Sequence, residues 1–110
     1  EVGAGTGYYL SHTLDTVENS RGVGLDVSTA AAKRLASAHP RVGAVVADAW
    51  SQLPLRDSST DAIMVVFAPR NAAEFARVLS PKAVGALHLH ELTSGCTLDA
   101  FVMFASASGV

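Results

Sequence analysis

The chain has 110 residues, 49% of them hydrophobic and 16% charged, with a formal net charge of -2. This balance describes one globular domain and excludes a disordered or fibrous chain. A slightly acidic chain lacks the basic surface that phosphate backbones require, so no nucleic-acid partner is expected. Cys96 stands alone, which excludes an internal disulfide or a cysteine-based zinc site and fits a reducing compartment. No apolar run is long enough to span a bilayer and no targeting signal is evident, so no membrane partner and a cytoplasmic location are expected.

Glu1-Val2 leads into Gly3-Ala4-Gly5-Thr6-Gly7, a glycine turn between a strand stub and a helix predicted over residues 8–17. Glycines permit a sharp turn and close approach of a ligand, and the helix that follows offers free N–H groups. Short apolar runs at 23–27, 42–47, 62–67 and 100–105 read as buried strands. Helices are expected at 28–39, with Ser28 as N-cap and Pro40 as stop, and at 70–79, where Phe75, Val78 and Leu79 form a stripe. A further helix is expected from Lys82 to Leu92 after Pro81. Strands alternating with helices imply an α/β fold, a Rossmann-like three-layer sandwich with a short, mostly parallel sheet.

Asp26 ends the strand after the turn, roughly 20 residues on, the spacing that one helix and one strand need to bring a carboxylate beside the glycines. It either accepts from ribose hydroxyls or caps the helix that starts near Ser28. Asp48, after the next strand, is either a solvated loop acid or an acceptor for an adenine amino group. Asp61 reads as a turn residue, and Trp50 as packing beside Asp48. His88 and His90, two residues apart, face different sides of a helix and make a poor metal pair, so no metal site is expected. Cys96 has no clustered base to activate it.

Glu1-Val2-Gly3-Ala4-Gly5-Thr6-Gly7-Tyr8-Tyr9-Leu10, Gly24-Leu25-Asp26-Val27-Ser28, Leu53-Pro54-Leu55-Arg56-Asp57 and Phe67-Ala68-Pro69 together resemble the bacterial 23S rRNA guanine-N1 methyltransferases, through about Leu79. The resemblance implies that Gly3, Gly5 and Gly7 hold the methionine end of S-adenosylmethionine. By the same resemblance Asp26 binds its ribose, and Asp48 with Ala49 flanks its adenine. Glu1 stands where that family more often has aspartate, a longer acid still able to support the turn.

From a point between Phe75 and Pro81 the chain instead resembles the ketoreductase domain of modular polyketide synthases, through Ser80-Pro81-Lys82-Ala83-Val84-Gly85-Ala86-Leu87-His88 and Leu98-Asp99-Ala100-Phe101-Val102-Met103-Phe104-Ala105-Ser106. Lys82 matches that family's catalytic lysine and Ser106 its serine. The tyrosine that completes the set would fall beyond Val110, so both residues are expected to be relics.

The expectation is one domain, a methyltransferase-like segment 1–79 joined to a ketoreductase-like segment 80–110. It would be a recombined, artificial chimera with no complete active site, no evolved activity and no required cofactor. The alternatives are a module that binds S-adenosylmethionine or its demethylated product weakly, and a truncated methyltransferase. The ketoreductase strand is expected to add beside 62–67 in the parallel sheet. Only Glu1 and Val2 represent the strand before the turn, which leaves sheet edges open and favours self-association as a homodimer.

Overall fold

The computed structural model describes residues 1–66 and 68–81, together with the backbone strand 100–104. Helix α1 (Tyr8–Thr16) follows the glycine turn. Then come β1 (Gly22–Asp26), α2 (Thr29–Leu35), β2 (Val42–Val46), β3 (Ala62–Val66), α3 (Ala72–Val78) and β4 (Ala100–Phe104). The helix expected at 82–92, together with Lys82, His88, His90, Cys96 and Ser106, lies outside the described residues.

The short stub at Val2 holds the sheet together. β1 and β2 run parallel, with Gly22 opposite Val42 and Asp26 opposite Val46. Val2 bridges Leu25 of β1 and Val65 of β3, parallel to both. Its neighbours complete the ladder: the Glu1 nitrogen donates to Val23 O at 2.6 Å, and Leu25 N–H donates to Glu1 O at 2.8 Å. Ala4 N–H donates to Leu25 O at 2.9 Å and Val2 N–H to Met64 O at 3.0 Å. The resulting order is β2, β1, stub, β3, β4.

β4 does lie beside β3, as expected, but antiparallel, with Ala100 opposite Val66 and Phe104 opposite Ala62. The reason is where the chain re-enters. α3 returns it to the start of β3, where Leu79 bridges Thr60, yet β4 begins beside the end of β3. A strand entering there can only run back down the sheet. The other pairings are parallel, which keeps the sheet mostly so.

Alternation along the strands separates two apolar faces, as a sheet covered on both sides requires. One face packs Leu10 and Leu14 of α1 and Leu35 of α2 with Ala4, against Val42, Ala44 and Met64. The other gathers Val2, Leu25, Ile63 and Val65 with Leu53 and with Phe75, Val78 and Leu79, the whole predicted stripe, although α3 ends at Val78 and Leu79 is already extended. Gly24 lets α2 come close, because a Cβ there would stand 2.6 Å from Leu35 Cδ2.

Local chemistry sets the helix ends. Ser28 Oγ accepts from Ala31 N–H at 3.2 Å, as its N-cap role requires. α2 stops at Leu35, short of the expected His39. Ser37 and Ala38 there donate three residues back, to Arg34 and Leu35, tightening the last turn before Pro40. At the end of α1, Arg41 donates to Leu14 O at 2.6 Å, a carbonyl the helix leaves free, and to Ser20 O at 2.8 Å in the segment that follows. Among the described residues no helix is long and apolar enough to cross a membrane.

Candidate functional site

The glycine turn, Asp26 and the loops after β2 and β3 meet at the carboxyl ends of the parallel strands, where open α/β sheets bind ligands. Gly3, Gly5 and Gly7 all have positive φ, at 67°, 58° and 89°, a region costly to residues with a Cβ. Their surroundings differ. A Cβ on Gly3 would meet Ala68 at 2.5 Å, and one on Gly7 would meet Leu35 at 2.7 Å and Ala38 at 3.0 Å. Those two glycines make room for the protein's own packing. Gly5 has nothing within 4 Å of that position, so its open side is the one a ligand can approach.

Asp26 ties the site together. Its Oδ2 accepts from Gly5 N–H at 2.8 Å, and its Oδ1 accepts from Ser28 N–H at 2.9 Å, while its backbone oxygen takes Ala47 N–H at 3.0 Å. The carboxylate therefore serves both the turn and the start of α2. An ionised carboxylate offers about four lone-pair sites, so two hydrogen bonds leave capacity for hydroxyl donors.

Glu1 supports the same turn from below. The Leu10 backbone in the first turn of α1 and the N-terminal ammonium both favour its charged form. Burial outweighs both and raises the carboxyl from its ordinary 4.5 to about 6, and Oε2 has no hydrogen-bond partner.

Asp48 closes its own loop: Oδ1 accepts from Trp50 N–H at 2.9 Å, and the backbone oxygen accepts from Ser51 N–H at 3.1 Å. Trp50 follows it in that turn, but the residue is 64% exposed and is not packed away as expected. Ala49 is partly buried against the core, and its carbonyl accepts from Asn71 Nδ2 at 3.2 Å. Asn71 was not expected here. It also caps α3 by accepting from Glu74 N–H at 3.4 Å, and the signal for it was the Asn-Ala-Ala-Glu spacing of a capping sequence. Asp61 is exposed at a bend before β3. Among the described residues no cluster of three metal-ligating side chains occurs.

Residues 26–110 match the family model of the KR domain. The chain belongs to that family. The match starts at Asp26, well before the junction that the motifs place near residues 75–81. A second likeness overlaps it. A protein of Micromonospora griseorubida named as a 23S rRNA (guanine-N(1)-)-methyltransferase is 52% identical over 81 residues, 74% of this chain and 28% of the relative. Polyketide synthase GfsB of Streptomyces halstedii is 64% identical over 33 residues, 30% of this chain and 1% of that protein. The chain is thus a mixture of methyltransferase-like and ketoreductase-like sequence, and it spans less than a third of the curated relatives' length.

The fold agrees. A chain from the complex of the Haloferax volcanii Trm112 methyltransferase activator with a methyltransferase superposes with a TM-score of 0.62, at 24% identity. The superposition covers 91% of this chain and 52% of the other. At that identity the likeness shows the Rossmann-like fold and nothing more.

Proposed function

We propose that this chain is a recombined fold of two enzyme parts whose glycine turn binds S-adenosylmethionine or its demethylated product. The observation that carries the reading is the Asp26 carboxylate, held beside Gly5 at 2.8 Å at the carboxyl end of the sheet. Asp26 would accept from the ribose hydroxyls through its remaining lone pairs. The open side of Gly5 would admit the methionine end, while Gly3 and Gly7 keep the turn packed against Ala68 and α2. Ala49, anchored by Asn71, and Asp48 would flank the adenine, and Glu1 would brace the turn through α1. When bound, S-adenosylmethionine supplies a transferable methyl group. In this reading the chain's own residues bind and orient it, and none is assigned to the transfer itself. Lys82 and Ser106 have no part in it.

Titration with S-adenosylhomocysteine, followed by amide-resolved NMR, tests the reading. Saturable shifts at Gly3–Gly7 and Asp26, ahead of all other amides, are expected. Shifts centred elsewhere, or none at millimolar ligand, would reject it.

A further inference from the structure

Strand β2 is the outer strand of the sheet beside β1, and it lies mid-chain, between α2 and the turn at Asp48–Trp50. Its residues alternate in where their backbone groups point. Arg41 O takes Gly22 N–H and Ala47 N–H donates to Asp26 O, so in this parallel register residues 41, 43, 45 and 47 bond to β1. Val42, Ala44 and Val46 therefore turn their N–H and C=O groups outward. The Val42 N–H is taken by His39 O at 3.2 Å. Among the described residues the Val42 C=O and both groups of Ala44 and of Val46 have no partner. The strand also carries none of the devices that keep a free edge from pairing, since Val42–Val46 contains no charge, no proline and no bulge. Val46 is 50% exposed on one face. On the other, a Cβ at Gly43 would have nothing within 4 Å.

We propose that β2 pairs with β2 of a second copy of this chain, antiparallel about a two-fold axis at Ala44, so that one sheet continues through a homodimer. A closed two-copy interface presents the same surface from both sides, and antiparallel strands meet that condition because their hydrogen bonds come in reciprocal pairs. Charge selects the same sense. Arg41 precedes the strand and Asp48 follows it, so antiparallel alignment sets opposite charges side by side at both ends, whereas parallel alignment sets like charges together. Centring on Ala44 overlaps all 5 residues of each strand. The two Ala44 residues then exchange both of their bonds, and each Val46 N–H donates to Val42 O of the other copy. Val46 comes beside the other copy's Val42, and Val45 faces the open position at Gly43, apolar cross-strand pairs of the kind that stabilise a ladder. The antiparallel sense sends the two glycine turns to opposite ends of the joint sheet. Both candidate sites stay open, and the pairing does not rest on the ligand they bind.

Sedimentation and amide hydrogen exchange over a concentration series, up to millimolar protein, test the pairing. A monomer–dimer equilibrium is expected, with exchange at Ala44 and Val46 slowing as concentration rises. Ala44→Pro removes an outward N–H and leaves the ladder to β1 whole, and Val46→Lys sets a charge on the free edge. Each should raise the dimer dissociation constant at least about ten-fold. Slow exchange at Gly24 and Asp26, whose N–H groups bond to β2, reports that β1 and β2 stay paired in both variants. Val46→Lys leaves every backbone group in place and decides the question if Ala44→Pro does not fold. Strictly monomeric protein throughout the series would overturn the proposal. So would a dimer whose affinity neither substitution changes, or one whose concentration-dependent protection falls outside residues 42–46.

Discussion

Arg77 concentrates more interactions than any other single side chain described here. It donates to Leu53 O at 2.8 Å, Leu55 O at 2.7 Å, Asp57 Oδ1 at 2.9 Å and both oxygens of Glu74. Glu74 in turn takes Leu53 N–H at 2.7 Å. This explains physically why Leu53-Pro54-Leu55-Arg56-Asp57 reads as a unit in sequence: its carbonyls are clamped by α3. Arg77→Ala should lower the urea midpoint and free the 53–57 loop, measured as faster exchange at Leu53 and Leu55. Glu74 and Glu1 respond oppositely to pH. Hydrogen bonds from Arg77 and Leu53 hold the Glu74 carboxyl below its ordinary value, so its stabilisation is present above that value and lost as pH falls. Burial raises Glu1 to about 6. Ionising it costs the folded state, so stability contributed there is greatest below 4.5 and declines up to about pH 6. Glu1→Gln should abolish that decline in unfolding midpoints measured from pH 4 to 7. A decline unchanged in the variant would assign it to another group.

At the scale of elements, the turn glycines separate into two kinds. Gly5→Ala meets open space and should cost only the left-handed backbone, about 1–2 kcal/mol. Gly7→Ala adds overpacking against Leu35 and Ala38, a further 1–3 kcal/mol or so. Denaturant unfolding of the two variants checks the order, and a larger loss at Gly5 would contradict the packing described. Phe75, fully buried at 0% exposure, should lose about 3–5 kcal/mol as Phe75→Ala. The α3 stripe was legible because helical spacing alone exposes it, and so was Asp26, whose distance from the glycines follows from one helix and one strand. The direction of β4 was not, since it depends on which end of β3 the chain reaches after residue 81. Nor was the double duty of Asn71, because its contact with Ala49 joins two loops that no local pattern links.

For the whole molecule, the small stub decides cohesion. Four short hydrogen bonds from Glu1 to Ala4 join β1 and β3, so the two-stranded pairs become one sheet. The glycine turn, Asp26 and the loop anchored by Asn71 then sit together at one end. The sequence patterns made the layered fold readable because each strand and helix carries its own periodicity. They left the site's inner organisation unread, because the Gly5–Asp26 bond and the crowding at Gly3 and Gly7 arise only once the layers pack. The central claim is that Asp26 links the turn to a bound nucleoside. Isothermal calorimetry of S-adenosylhomocysteine against the parent chain and Asp26→Ala tests it most directly. Loss of a charge-assisted contact of about 1.5–3 kcal/mol predicts affinity roughly 10- to 150-fold weaker in the variant. Equal affinity in the two chains would contradict the account.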